Sequence, residues 1–192
     1  MVNNRQLHAW ALSPKEAVRL QQALRSQVIT GGTVRPLRWL TGVDVAYTGG
    51  GGQARAAVVV CRWPGMDVIE ERVVEKPVRF PYVPGLLSFR EAPIALAALS
   101  GLTHPIDCLL VDGQGRAHPR RFGLACHLGL WIDRPTIGCA KSKLYGEVPS
   151  PPGVEKGAWE PVRDVDGEVV GAAVTTRDRC KPLYVSVGHR VS

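Results

Sequence analysis

Apolar positions along the first quarter of the chain recur at helical spacing, then gather into strand-like runs. Ala17, Leu20, Leu24 and Val28 share one helical face, behind Ser13-Pro14 and Lys15-Glu16. A serine N-cap followed by proline at the first helical position predicts an amphipathic helix over 14–28, ended by Gly31-Gly32. Three strand-like runs follow, at 40–47, 54–63 and 68–78, with Gly49–Gly52 and Pro64-Gly65 at the turns. Short connections of this kind predict an antiparallel meander.

Pro81 and Pro84 bracket a rigid, non-helical turn. The stretch 86–102 reads as a helix, with Pro93 expected in its first turn or at a kink. The apolar run 107–111 ends at Asp112-Gly113 and has the length of a central buried strand. A second apolar-faced helix is predicted at 122–132 and a short strand at 135–139. Residues 146–166 are rich in proline, glycine and charge and read as a surface excursion. Two late strands are expected at 169–175 and 182–187. The order three strands, helix, strand, helix, strand predicts an α/β fold: a central mixed sheet with flanking helices, in a single domain spanning 1–192.

Composition narrows the class. With 192 residues, 45% hydrophobic and 21% charged, the chain can bury a core of its own as a soluble globular protein. The net charge of +7 favours a polyanionic partner, without separating nucleic acid from a membrane surface. Five widely spaced cysteines with no CxxC pair argue against a disulfide framework or a structural zinc site, and suit a reducing cytoplasm. No signal pattern is visible, and no apolar run approaches the roughly 20 residues of a membrane span. A monomer is the simplest expectation.

Three acidic residues stand in apolar or glycine-rich frames: Asp44 in TGVDVAY, Glu91 in PYVPGLLSFRE and Asp112 in LLVDGQGRAHPRR. Each has a plain explanation when taken singly: a solvent-facing strand residue, an acid favoured by a helix dipole, an Asx turn. A carboxylate within an apolar run is costly to bury without a partner or a cation. Together the three supply hard oxygen ligands for Mg²⁺ or Mn²⁺, which points to a metal-dependent nuclease acting on a polyanion. Arg116, Arg120, Arg121, Arg134, Lys141 and Lys143 outnumber the single acid, Asp133, between 115 and 145. Such a patch can hold phosphates, or can be merely a solvated basic face. Lys141 lies nearest the expected sheet end and is the candidate for charge stabilisation at a phosphate. His118 and His189 are candidates for proton handling or phosphate contact. Tyr82, held between Pro81 and Val83-Pro84 with Gly85 after it, would present a ring on a stiff tip able to unstack a duplex, unless it is simply a buried aromatic.

The stretches TGVDVAY, PYVPGLLSFREAP, LLVDGQGRAHPRRFGLACHLG, PTIGCAKSKLYG and PLYVSVGHRVS, in that order, resemble the endonuclease V family. They cover most of 40–145 and the last strand. The resemblance implies a ribonuclease H-like fold and a Mg²⁺ requirement that Mn²⁺ can meet. It implies recognition of deoxyinosine in DNA, with hydrolysis of the second phosphodiester on its 3′ side to leave a 3′-hydroxyl and a 5′-phosphate. Inosine in RNA is the alternative substrate, and non-catalytic binding of deaminated nucleic acid the alternative activity. By the same resemblance Asp44, Glu91 and Asp112 fall on metal-binding carboxylates and Tyr82 on the wedge tyrosine. His118, Lys141 and His189 fall on further active-site positions. Pro84, Gly85, Gly113 and the 138–140 stretch fall along the lesion pocket and channel. The chain stops at Ser192, where similar proteins usually continue with a helix and a short tail, and 146–166 matches no family pattern.

Overall fold

The computed structural model describes residues 6–192. Helix α1 (Pro14–Leu24) opens on a capping box: Glu16 N–H donates to Ser13 Oγ at 3.4 Å and Ser13 N–H to Glu16 Oε2 at 2.8 Å. The reciprocal pair satisfies two donors that a helix start otherwise leaves open. A 3-10 turn, Arg25–Gln27, completes the helical stretch.

Strands β1 (Trp39–Thr48), β2 (Gln53–Arg62) and β3 (Asp67–Pro77) form the expected antiparallel meander. Then come α2 (Leu87–Leu99), β4 (Cys108–Val111), α3 (Leu124–Ile132), β5 (Thr136–Ala140), β6 (Trp159–Arg163), β7 (Val169–Val174) and β8 (Leu183–His189). All eight strands join one sheet of order β3-β2-β1-β4-β5-β8-β7-β6. β1, β4 and β5 pair in parallel at its centre, and every other pairing is antiparallel. The carboxyl ends of the central trio therefore point to the same edge, where ligands sit in α/β sheets.

Helices α2 and α3 cover one face. Ala54, Ala56, Val58 and Val60 alternate inward along β2 against Leu96, Leu99, Leu109, Leu128 and Ile132. Full burial of each large aliphatic side chain contributes about 1.5–3 kcal/mol, so this cluster dominates the hold of helices on sheet. Truncating Leu109, fully buried on β4, to alanine would cost about 2–5 kcal/mol.

Two elements differ from the sequence reading. Pro93 occupies the seventh position of α2, well past the first turn. Lacking an N–H, it leaves the Phe89 carbonyl without its usual helical donor, and burial of the surrounding face keeps the helix continuous. Strand β6 lies inside the predicted surface excursion. It is the sheet's outermost strand, and an edge tolerates Pro161 because only one side needs ladder donors. Among the described residues no helix is long and apolar enough to cross a membrane, and all five cysteines are free.

Candidate active site

Along β1, Val43, Val45 and Tyr47 face the helix-covered core, so alternation turns Asp44 the other way. Its Oδ1 accepts from Val45 N–H at 2.7 Å. Asp112 follows β4, with its own N–H donated to Val43 O at 3.1 Å, which sets it level with Asp44 on the neighbouring strand. Glu91 comes from the second turn of α2 and is 6% exposed. The Tyr47 hydroxyl donates to Glu91 Oε1 at 2.9 Å. Burial pushes the Glu91 carboxyl up to about 7; the Tyr47 bond works against this, and the like charges of Asp44 and Asp112 add to it. Lys141, just past β5, donates from Nζ to Asp112 Oδ2 while its side chain stays 75% exposed. That ion pair raises the ammonium above its ordinary value.

These four side chains line one cavity of about 630 Å³ together with Tyr82, Pro84, Gly85, Gly113 and His118. Tyr82 stands at its rim, 74% exposed. In the loop carrying it, one backbone oxygen gathers three donors. The Gly85 carbonyl accepts from Gln21 Nε2 at 3.1 Å, His118 Nε2 at 3.0 Å and Arg120 Nη2 at 2.6 Å. Gly85 has φ of 77°, and a Cβ there would stand 2.6 Å from Arg120 Nη2, so only glycine fits without displacing the guanidinium. His118 also accepts Arg120 N–H on Nδ1 at 3.1 Å. Burial and the Arg120 charge hold His118 down at about 4, so it is a neutral imidazole bonded at both nitrogens.

The remaining basic candidates do not converge on the cavity. Arg116 pairs with Glu168 at 2.6 Å, Arg121 with Asp164 and, at 3.5 Å, Glu168, and Lys143 with Glu147 at 2.7 Å. Glu147 and Asp164 come from the 146–166 stretch that the sequence left unassigned, and Glu168 lies just beyond it. His189 lies farther off. It pairs with Thr136 at the opening of β5, the opposite end from Lys141, because β8 runs antiparallel to β5. Its ring accepts Ile29 N–H at 3.2 Å and faces Asp133 at 3.4 Å, and burial lowers its pKa.

Sequence reasoning missed Tyr47, Gln21 and Arg90. Arg90 donates to Phe80 O at 3.0 Å and Gly51 O at 2.9 Å, with its guanidinium 4.6 Å from the Tyr47 ring centroid. It fastens both the glycine turn after β1 and the loop before α2. Gln21 was legible in part: a glutamine between Ala17 and Leu24 on an apolar stripe needs buried partners.

Among the described residues, no three carboxyl, imidazole or thiol groups stand close enough to hold an ion by themselves. The acidic trio nonetheless fits a hard cation. All its donors are carboxylate oxygens, as Mg²⁺ prefers. Burial raises Glu91 to about 7, and the negative charges of Asp44 and Asp112 add to this against the Tyr47 bond and the Arg90 charge, so a cation among the three acids would relieve their mutual repulsion.

The central parallel trio, the acids at its carboxyl edge and the flanking helices define a ribonuclease H-like nuclease. The family model for endonuclease V matches residues 22–192. Endonuclease V of Roseiflexus castenholzii (strain DSM 13941 / HLO8) is 50% identical over 185 residues, spanning 96% of this chain and 82% of the relative. The crystal structure of endonuclease V from Streptomyces avermitilis is similar with a TM-score of 0.87 at 43% identity, covering 95% of this chain and 80% of that one. A Ciona intestinalis endonuclease V, in complex with a 24mer DNA containing an inosine followed by a ribo-adenosine, matches with a TM-score of 0.79 at 28% identity, over 93% and 84% of the two chains. The chain belongs to the endonuclease V family and is a phosphodiester hydrolase.

Proposed function

We propose that this protein recognises deoxyinosine in DNA and hydrolyses the second phosphodiester bond on its 3′ side, leaving a 3′-hydroxyl and a 5′-phosphate. The observation that carries the reading is the meeting of Asp44, Glu91, Asp112 and Lys141 in the cavity that Tyr82 overhangs. The Ciona complex with inosine-containing DNA supplies the lesion class.

Asp44, Glu91 and Asp112 would hold a divalent cation, Mg²⁺ with Mn²⁺ as substitute. When bound, such an ion polarises a phosphate and lowers the pKa of water. The chain's own groups do the rest. Tyr47 orients Glu91 through one oxygen and leaves the other free. Lys141 has an exposed ammonium that can meet a phosphate oxygen without leaving Asp112, offsetting charge that develops there. Tyr82 unstacks the duplex from a fixed mount, and Pro84, Gly85 and Gly113 line the wall that receives the base. His118 keeps that wall in place as a neutral donor to Gly85. Arg116, Arg120, Arg121 and Lys143 contribute field and scaffolding. Residues 1–192 work as one nuclease domain, as a monomer, in the reducing cytoplasm that five unpaired cysteines suit.

An end-labelled duplex with one deoxyinosine, incubated with Mg²⁺ or EDTA and mapped to the nucleotide, tests this. A Mg²⁺-dependent nick at the second 3′ phosphodiester is expected. A second reading, cleavage within RNA, is favoured by the ribo-adenosine beside inosine in the Ciona complex. Matched DNA and RNA strands assayed in parallel separate the two.

A further inference from the structure

The basic residues near Asp112 and Lys141 in sequence are largely spent within the protein: Arg116, Arg121 and Lys143 are each paired with an acid. A second basic group is not. Arg177, Arg179 and Lys181 share the connection between β7 and β8, and Lys156 lies in the loop before β6. All four side chains are exposed. Among the described residues none of them is in an ion pair. Four cations against two acids, Glu155 and Asp178, leave this region positive.

Strand pairing sets the group on the same sheet edge as the acids. Ala140, the last residue of β5, is opposite Tyr184 on β8, so Leu183 is level with Lys141. Leu183 in turn is opposite Val174, the last residue of β7. Neighbouring strands stand about 4.8 Å apart, so the connection leaves the sheet about 5–10 Å from Lys141. At about 3.4 Å of rise per nucleotide, a strand with one phosphate on Lys141 passes it within about three nucleotides. The two loops are also locked together. Gly157 N–H donates to Thr175 O at 2.8 Å, Thr175 N–H to Ala158 O at 2.9 Å and Arg179 N–H to Val154 O at 2.7 Å. The Thr175 hydroxyl donates to Gly153 O at 2.7 Å, and Lys156 N–H to Asp178 Oδ1 at 2.7 Å. Asp178 is thus engaged by a backbone donor and by none of the four cations.

We infer that this rigid basic rim, Lys156, Arg177, Arg179 and Lys181, binds the phosphates of the nucleic-acid strand where it leaves the cavity past Lys141. This rests on the nuclease reading above and extends the substrate contact of the same site. The backbone beneath the rim is already ordered, so binding costs the freedom of the side chains alone. Contacts to phosphate fix hold and register and carry no sequence information. The rim therefore grips damaged and undamaged strands alike, and its binding energy appears in KM and not in kcat.

The test uses Arg177→Gln/Arg179→Gln/Lys181→Gln in the full chain, with duplexes that do or do not carry deoxyinosine. The exchanged side chains are exposed and the backbone bonds beneath them remain, so the fold is kept. A control, Arg35→Gln/Arg38→Gln/Arg62→Gln, removes the same charge near the opposite edge, where β1 begins and β2 ends. Binding is read by fluorescence anisotropy in EDTA across a range of salt concentrations. Three lost phosphate contacts should lower the slope of log K against log salt by about 2–3 and weaken binding at least about tenfold, while the control changes the slope by less than about one. With Mg²⁺, KM for incision of the deoxyinosine duplex should rise at least about tenfold and kcat stay within about twofold. Shortening one flank of the duplex should cost the wild type as much and the rim variant nothing further. An unchanged slope in the rim variant, an equal fall in the control, or flank losses that add to the variant's on both sides each overturn the inference. If the wild type incises undamaged and inosine duplexes alike while the rim variant still loses slope, the lesion reading fails and the rim stands.

Discussion

The Tyr47 hydroxyl sits 2.9 Å from Glu91 Oε1, joining the central strand β1 to helix α2 at one of the acids that line the cavity. Burial and the Glu91 carboxylate both push the phenol's pKa upward, so it stays protonated and keeps donating. Tyr47→Phe deletes this one bond with little change in packing. Incision should fall about tenfold, with more Mg²⁺ needed for half-maximal rate, because outer partners of ligating groups typically contribute that much. A Mg²⁺ titration of the incision rate checks it, and an unchanged half-maximal concentration would show that Glu91 needs no such partner.

Replacing Asp44 or Asp112 with alanine is expected to abolish incision while the fold persists, since neither side chain takes part in the apolar core. Circular dichroism beside the nicking assay reports both. Residual cleavage by both variants would remove these residues from the proposed chemistry.

Glu91→Gln should also inactivate the enzyme, yet stabilise the metal-free protein at pH 8 by about 1–3 kcal/mol. The reason is that folding buries a carboxyl beside two like charges and raises it to about 7. Thermal melts in EDTA measure the effect, and a lower melting temperature would contradict it.

Acid stability should depend on His127. Its folded pKa of about 3 lies below the ordinary 6.5, so between these values the unfolded chain binds a proton that the folded protein refuses. Stability is fully present above about pH 6.5 and is lost as pH falls toward 3. His118, held at about 4, acts the same way. Glu91 acts oppositely between 4.5 and about 7, because the folded state then binds the extra proton. The informative quantity is therefore a difference. Between pH 6.5 and 4.5, urea unfolding of His127→Leu should show a pH slope shallower than wild type by about one proton. Identical slopes would mean that the ring is protonated in the native protein.

Tyr82→Ala should leave the melting temperature nearly unchanged, because the ring is 74% exposed. Incision of duplex DNA should drop at least about tenfold, and incision of a single-stranded inosine oligonucleotide much less, since only the duplex must be unstacked. Equal losses on both would point to a contact with the base instead of a wedge.

Much of this was legible from residues alone, for identifiable reasons. Asp44 and Asp112 showed because a strand's apolar frame makes an acid conspicuous, and the parallel pairing of β1 with β4 brings them level. Lys141 showed because it follows a short apolar strand of the same parallel set. His189 looked equivalent on the same local grounds. Strand direction separates it from the site, and nothing within SVGHR reveals that β8 runs against β5. Arg116 and Arg121 looked free because their acidic partners, Glu168 and Asp164, lie more than forty positions away. Strand β6 was hidden by Pro161 and by its glycine-rich and charged neighbours, the composition an edge strand can carry and a central one cannot. Tyr47 gave no signal, being an ordinary residue in a strand until the fold sets Glu91 beside it.

The three donors that meet on the Gly85 carbonyl come from α1 and from the segment between β4 and α3, elements joined through the body of the protein. A loop moored this way cannot swing aside without breaking several partly buried bonds at once. Accommodation between enzyme and duplex must then come from the nucleic acid. The ease with which a base pair opens becomes a selection step in its own right. Weakly paired inosines should be found faster than stably paired ones, even when the extruded base is chemically the same.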